Sequence, residues 1–424
     1  MMSDIKRELF SCLCVAALSA GCGGAPAGGK PAASGAQASK EDPGAPKGID
    51  PQNAKAAEQR EATGLTVQAL DVEGLKGEVE ASEPPSFEDS DDSLAIRIPI
   101  GTETPIDCFV AKTDAYAAQT LNDVITEFAR TVNVKSLRPS EISMIGDHVA
   151  VFLRMSFDRK SEGQPPSVGE LKTMFYDNPT TPLLCVHADM GYRATFERVT
   201  KNLAASLKIE GDEDAPPKLV EVYLEKVDGV TSGYSWRTVL PGEQGTFVSL
   251  ARSSSFAPLS ERELAMTDVV EDEIWDAQGR LMKGGYASSK GGNVEVDVAL
   301  ERVRGQEYAF EGKQADQDIS GKFKTKDKRG LAAGKTLSKA ILSELGSTKD
   351  QGTKIEEYHP TLDPKAPVEV VYKTESKDQR QLKVSKGSTD SVVTADENGL
   401  MQRLVTSVGG STSTKDRVLV RGTL

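Results

Sequence analysis

Apolar residues follow four different rhythms along this chain, and each predicts a different kind of segment. Residues 9–20, LFSCLCVAALSA, form one apolar run of about 12 residues. That is short of the roughly 20 that a spanning helix needs and matches the hydrophobic region of a signal peptide. From 23 to 92 the pattern dissolves. The first half is rich in Ala, Gly, Pro, Lys and Ser, and the second half is acidic. Neither half offers enough apolar surface to offset chain entropy, so a flexible tether is predicted, with room for a short helix near Asn53–Glu61.

Residues 93–210 show the third rhythm. Leu94, Ile96, Ile98 and Ile100 alternate, as do Val149, Val151, Leu153, Met155 and Phe157. Alternation of this kind predicts half-buried strands. Further strands are predicted over Pro105–Lys112 and Thr181–Ala188. Ala117, Leu121, Val124, Ile125 and Phe128 make one stripe of a helix that Thr113 or Asp114 would cap. Tyr192, Phe196, Val199, Leu203 and Leu207 make another, over about Gly191–Leu207.

The fourth rhythm fills 216–424. Val220, Val222 and Leu224 alternate, then Val294, Val296, Val298 and Leu300, then Val368, Val370 and Tyr372. Polar residues between them predict antiparallel strands with one wet face. WDAQGRLM at 275–282 and ADENGLM at 395–401 echo each other as Asp-x-x-Gly turns, which hints at two similar meanders. One helix is predicted to interrupt, at about Lys335–Leu345. The expected fold class is therefore α+β: a small α/β sandwich domain (93–210), then a larger antiparallel β-rich domain (216–424) with one helix.

Charge changes this picture little. The net charge is −13, but nine carboxylates against Lys76 alone lie within 71–92. The acidity belongs mostly to the predicted tether. No basic face suggests nucleic acid, and no motif suggests a cofactor.

The apolar run ends in Ser19-Ala20-Gly21-Cys22. This arrangement resembles the lipobox of bacterial lipoproteins, although the leucine usual three before the cysteine is displaced to Leu18. The resemblance implies a signal peptide over 1–21, lipid on Cys22, a tether over 22–92 and attachment to a membrane of the cell envelope. Gly23 and Gly24, with no aspartate after the cysteine, resemble an outer-membrane address. The element order of 93–210 resembles the PsbP-type α/β/α sandwich. The curved sheet and helix expected beyond it distantly resemble envelope carriers of the LolA/LolB kind.

Candidate chemistry is sparse. Cys108 and Cys185 remain as an even pair in an exported chain, where disulfides persist. Their bridge would close a loop of about 78 residues, which chain entropy makes worth roughly 4 kcal/mol. Joined by His148 and His187 they could instead ligate metal, but the spacing fits no standard zinc module, and no metal is expected. Gly330-Leu-Ala-Ala-Gly334-Lys335-Thr336 has one residue too few for a phosphate loop. Asp268, Glu271, Asp272, Glu273 and Asp276 lack calcium-loop spacing and read as a solvated strand. Lys322, Lys324, Lys326 and Lys328 would share a strand face, either as a lysine-guarded edge or as an anion strip for a glycan or an acidic envelope partner. The leading expectation is a non-catalytic binding or assembly module. The alternatives are an envelope hydrolase and a periplasmic lipid or lipoprotein carrier.

Overall fold

A computed structural model describes residues 48–159, 166–209, 216–347 and 351–424. The apolar run at 9–20 and Cys22 lie outside the described residues. Strand dominates, in antiparallel sheets, and the chain divides into two compact units, one mainly of residues up to 210 and one mainly of residues beyond. No described helix is long and apolar enough to cross a membrane.

The first unit contains helices α1 (Ala54–Ala57), α2 (Ala117–Ala129) and α3 (Arg193–Ser206). Its strands are β1 (Thr66–Val72), β2 (Leu75–Ala81), β3 (Ser86–Asp89), β4 (Ser93–Ile98), β5 (Ile106–Ala111), β6 (Asn133–Ile145), β7 (His148–Arg159), β8 (Ser167–Asp177), β9 (Leu183–Ala188) and β10 (Lys208–Ile209). Seven of them make one sheet in the order β3-β4-β5-β9-β8-β7-β6. The predicted alternation over 149–157 is real, and those residues are all but inaccessible. Phe128 of α2 meets Phe157 at 5.1 Å between ring centroids, and Phe196 of α3 meets Phe152 at 6.5 Å. Helix α2 starts later than Thr113 or Asp114 would have it, with Tyr116 at the cap position and no side-chain cap bond.

Residues 48–92 correct the expectation of a flexible tether. Strands β1, β2 and β10 form a second, three-stranded sheet. Leu70, Leu75, Val79 and Ala81 are buried. Helix α3 packs on β2, where Arg198 and Asn202 hold Glu80 and the Ser206 hydroxyl donates to the Glu78 carbonyl. Glu61 accepts the amides of Ala194 and Thr195 at 3.0 and 2.7 Å. It thereby satisfies open donors at the positive end of the helix. On β1 and β2 Asp71, Glu78 and Glu80 alternate with the buried Leu70, Val79 and Ala81, and α3 packs against β2.

Cys108 and Cys185 are opposite partners in the β5–β9 ladder and form a disulfide in the core. Serine at both positions is expected to lower the unfolding free energy by about 2–5 kcal/mol. Denaturant titration of the oxidised protein and the double variant measures this. Coincident curves would mean that the bridge contributes nothing.

Among its described residues the second unit carries α4 (Gly334–Gly346) and fourteen strands. These are β11 (Leu219–Val227), β12 (Val230–Pro241), β13 (Phe247–Ser260), β14 (Glu263–Trp275), β15 (Leu281–Lys290), β16 (Asn293–Arg304), β17 (Glu307–Gln314), β18 (Gln317–Lys324), β19 (Thr353–Glu357), β20 (Val368–Ser376), β21 (Gln381–Lys386), β22 (Thr389–Ala395), β23 (Met401–Val408) and β24 (Ser411–Gly422). They form a single sheet. Two meanders, β11–β18 and β19–β24, are fused where β11 pairs with β24. The sheet curls until its ends approach. Phe323 of β18 stacks on Tyr358, just past β19, at 5.8 Å, and the Ala332 amide donates to the Glu356 carbonyl.

The echoed turns have the same build. Asp276 Oδ1 accepts from the amides of Gln278 and Arg280, and Asp396 Oδ1 from those of Asn398 and Leu400. Gly279 and Gly399 stand at φ 79° and 74°, where a side chain is strained. A Cβ on Gly279 would meet Lys335 and Thr336, and one on Gly399 would meet Ser338. The paired turns thus cradle α4 at one end of the curled sheet.

Candidate functional site

The curl of the second unit leaves a cavity of about 640 Å³, within the roughly 300–1,000 Å³ of small-molecule pockets. Side chains two apart on a strand share a face, so the lining can be traced strand by strand. On β21 and β22 it grades from polar to apolar. Lys386 pairs with Thr389, Val384 with Ser391, and Leu382 with Val393. At the apolar end α4 contributes Leu337 and Ile341 to the cavity wall, and Ile341 packs with Val370 and Leu382.

Most of the charges in and behind this lining have partners. Glu221 accepts from the Tyr223 hydroxyl at 2.7 Å and from Arg237 Nε at 3.1 Å. Glu273 accepts from Trp275 Nε1 at 2.7 Å and the Tyr286 hydroxyl at 2.6 Å. Burial raises the Glu273 carboxyl above its ordinary range, with the Glu271 charge adding to the effect. His359 Nε2 lies 2.7 Å from Glu357, which also accepts from the Tyr372 hydroxyl at 2.9 Å. Burial works to raise Glu357, but the His359 hydrogen bond and charge bring it below the usual value. Lys415 lies 3.3 Å from Glu225 and over the Tyr223 ring.

Two lining charges stand apart. Glu271 of β14 and Lys386 of β21 line the same cavity, and among the described residues neither makes a hydrogen bond or an ion pair. Burial lowers the pKa of Lys386, against the pull of Glu357 and Glu271. The Ser235 hydroxyl, also in the lining, is buried without a hydrogen-bond partner among the described residues.

The sequence-predicted candidates fall elsewhere. Lys322 and Lys324 do share a face of β18, at the end of the sheet order, and each lies 4.0 Å from Glu307. Lys326 and Lys328 have left the strand, because the Thr325 hydroxyl bonds the Asp327 carbonyl and turns the chain. Lys326 pairs with Glu369 instead. The row of four ammoniums is therefore not formed. The carboxylate cluster is not a solvated strand either. Asp268 is buried and accepts from the Ser254 hydroxyl, while Glu271 and Glu273 face the cavity.

Both sulfurs of the Cys₂His₂ alternative form the expected disulfide. His187 reaches the Thr104 carbonyl at 3.3 Å. Burial, with the Lys172 charge, drives its pKa down to about 3, so the ring is neutral. Phosphate-loop geometry is absent at 330–336. There Arg280 holds the Gly330 carbonyl, and a Cβ on Gly334 would collide with the Trp275 ring.

Lys386 and the His359–Glu357 pair escaped the sequence reading as cavity groups, and Glu271 entered it only as part of a solvated strand. A signal was available: each charge sits on the inward phase of an alternating strand or just beyond one. Val269, Glu271, Glu273 and Trp275 form one such series, and Leu382, Val384 and Lys386 another.

No family model matches the chain, and no curated protein matches it. Among solved structures it is similar to a beta-barrel-like protein of the domain of unknown function DUF1849 from Brucella abortus. The identity is 10%, over 48% of this chain and 97% of that one, with a TM-score of 0.36. It is also similar to a DUF1089 family protein from Pseudomonas aeruginosa. There the identity is 19%, over 40% and 87% of the two chains, with a TM-score of 0.24. At these scores neither likeness bears on function.

Proposed function

We propose that this chain is a lipoprotein of the bacterial cell envelope, anchored through lipid on Cys22, whose second unit is a non-catalytic binding module that takes a small ligand into its sheet. The observation that carries this reading is the cavity, with polar groups at one end and the apolar side chains of α4 at the other. Binding sites of small ligands combine apolar walls with a few placed polar groups in this way. The same gradation favours a lipid-carrying role over assembly through an outer surface. For the first unit we propose an α/β/α sandwich. Phe152 and Phe157 are an odd number of residues apart on β7, so α3 and α2 approach opposite faces of the larger sheet.

The test is uptake of an apolar fluorescent probe by the purified full chain. Leu337→Trp fills the apolar end of the cavity from a partly exposed position. It is expected to weaken uptake at least about tenfold, some 1.4 kcal/mol, while the melting temperature holds. Undiminished uptake by the folded variant would remove the cavity as the site.

A further inference from the structure

We propose that the ligand of this cavity is a single-chain amphiphile with a zwitterionic phosphoethanolamine-type head, its phosphate on Lys386, its ammonium on Glu271 and its tail along α4. The assignment rests on the binding-module reading above and specifies what the module holds.

Three observations lead to it. The first is the inventory of lining charges. Glu273, Glu357 and Arg237 are already matched by protein groups, as is Lys415. Arg252, the other cation of the lining, lies over the Trp236 ring and is engaged within the protein. Among the described residues, the lining charges left without a hydrogen bond or an ion pair are one carboxylate and one ammonium, Glu271 and Lys386. They stand on β14 and β21, strands well separated in the sheet order, and form no ion pair, although the Glu271 charge acts on Lys386. A head of one sign would satisfy one of them and leave the other facing a like charge or nothing. Desolvating an unmatched charge is costly. A head with both signs satisfies both at once. The second observation is the gradation of the lining. Lys386 and Thr389 are at its polar end, and Val393, Ile341 and Leu337 are at the other. A ligand that fits must itself be polar at one end and apolar at the other. The third is size. A cavity of about 640 Å³ lies in the range of small-molecule pockets, which suits one acyl chain with its head. The buried Ser235 hydroxyl, unmatched in the lining, is free to meet a phosphate or ester oxygen.

The experiment uses the full chain and three competitors of equal chain length, each below its micellar concentration. They are lysophosphatidylethanolamine, the free fatty acid and the primary alkylammonium. Each displaces the apolar fluorescent probe. The zwitterion is expected to bind at least about tenfold more tightly than either singly charged analogue. Glu271→Gln should abolish that preference and improve fatty-acid binding, because Lys386 is left without a competing carboxylate. Lys386→Met should abolish it in the opposite sense and improve alkylammonium binding. A general loss of structure cannot produce these opposite shifts, and melting curves check that both variants fold. If either variant unfolds, the ranking of the three competitors on the unaltered chain decides. Equal affinity for all three heads, or preference for a singly charged one, would overturn the assignment while leaving the cavity as a binding site. A probe that binds but that no amphiphile displaces would also overturn it. Failure of the probe itself to bind would overturn both readings.

Discussion

Alanine at position 22 is expected to release the whole protein from the membrane fraction. The expectation follows from the short apolar run at 9–20 and the Ser-Ala-Gly-Cys that closes it. Each buried methylene of an acyl chain contributes about 0.8 kcal/mol to membrane affinity, and one chain alone anchors only marginally. Lipidation of the lipoprotein type supplies more than one chain, so the unaltered protein should partition completely into detergent phase. Among the described residues no helix is long and apolar enough to span a bilayer, and the apolar run itself is shorter than a span requires. Phase separation and sedimentation of membranes give the readout. A variant that stays with the membranes would show another anchor and overturn the lipobox reading.

Trp275→Ala should cost the second unit about 3–5 kcal/mol, the range for deleting a large buried aromatic side chain. Trp275 is 1% exposed. Its ring lies against Gly334 so closely that a Cβ there would fall 2.3 Å from it. It therefore supports the start of α4, which forms the apolar end of the cavity. Its Nε1 also donates to Glu273, a buried carboxylate whose remaining donor is the Tyr286 hydroxyl. Removing the ring both opens a cavity and strips a hydrogen bond from a buried acid. Trp275→Phe separates the two effects, since it restores much of the packing without the donor. Its cost should be roughly 1–3 kcal/mol, the penalty of a buried polar group losing a partner. Urea titration gives both values, and the chain's other tryptophan, Trp236, remains as the fluorescent reporter. A cost under about 1 kcal/mol for the alanine variant, far below the usual range, would mean that α4 is held in place by something other than Trp275.

The lysine run and the acidic stretch show how far local pattern reaches. The lysine run was read from charge spacing over 322–328, and the acidic stretch from composition over 23–92. Both were altered by contacts that neither pattern contains. Lys326 and Lys328 leave their strand because Thr325 and Asp327 form a turn. Residues 66–81 fold because α3, more than a hundred residues later, covers their apolar phase.

What the sequence by itself determined is the in–out alternation of the strands and the placement of the helices. The inward residues of β7, the stripe of α2, the Asp-x-x-Gly turns and the helix after Gly334 were all legible, because burial of one face is a local demand with a period of two or 3.6 residues. Cys108 and Cys185 were legible as a pair because few cysteines remain once the apolar run is set aside. Only the tertiary structure decided which inward charges are matched. Glu273 finds Trp275 and Tyr286 close by, on the same or the neighbouring strand. Glu271 and Lys386 are brought to one cavity only by the curl of the whole sheet. That curl depends on the β11–β24 pairing of segments nearly two hundred residues apart. No local period encodes it, which is why the binding site is the part of this protein that its sequence alone conceals.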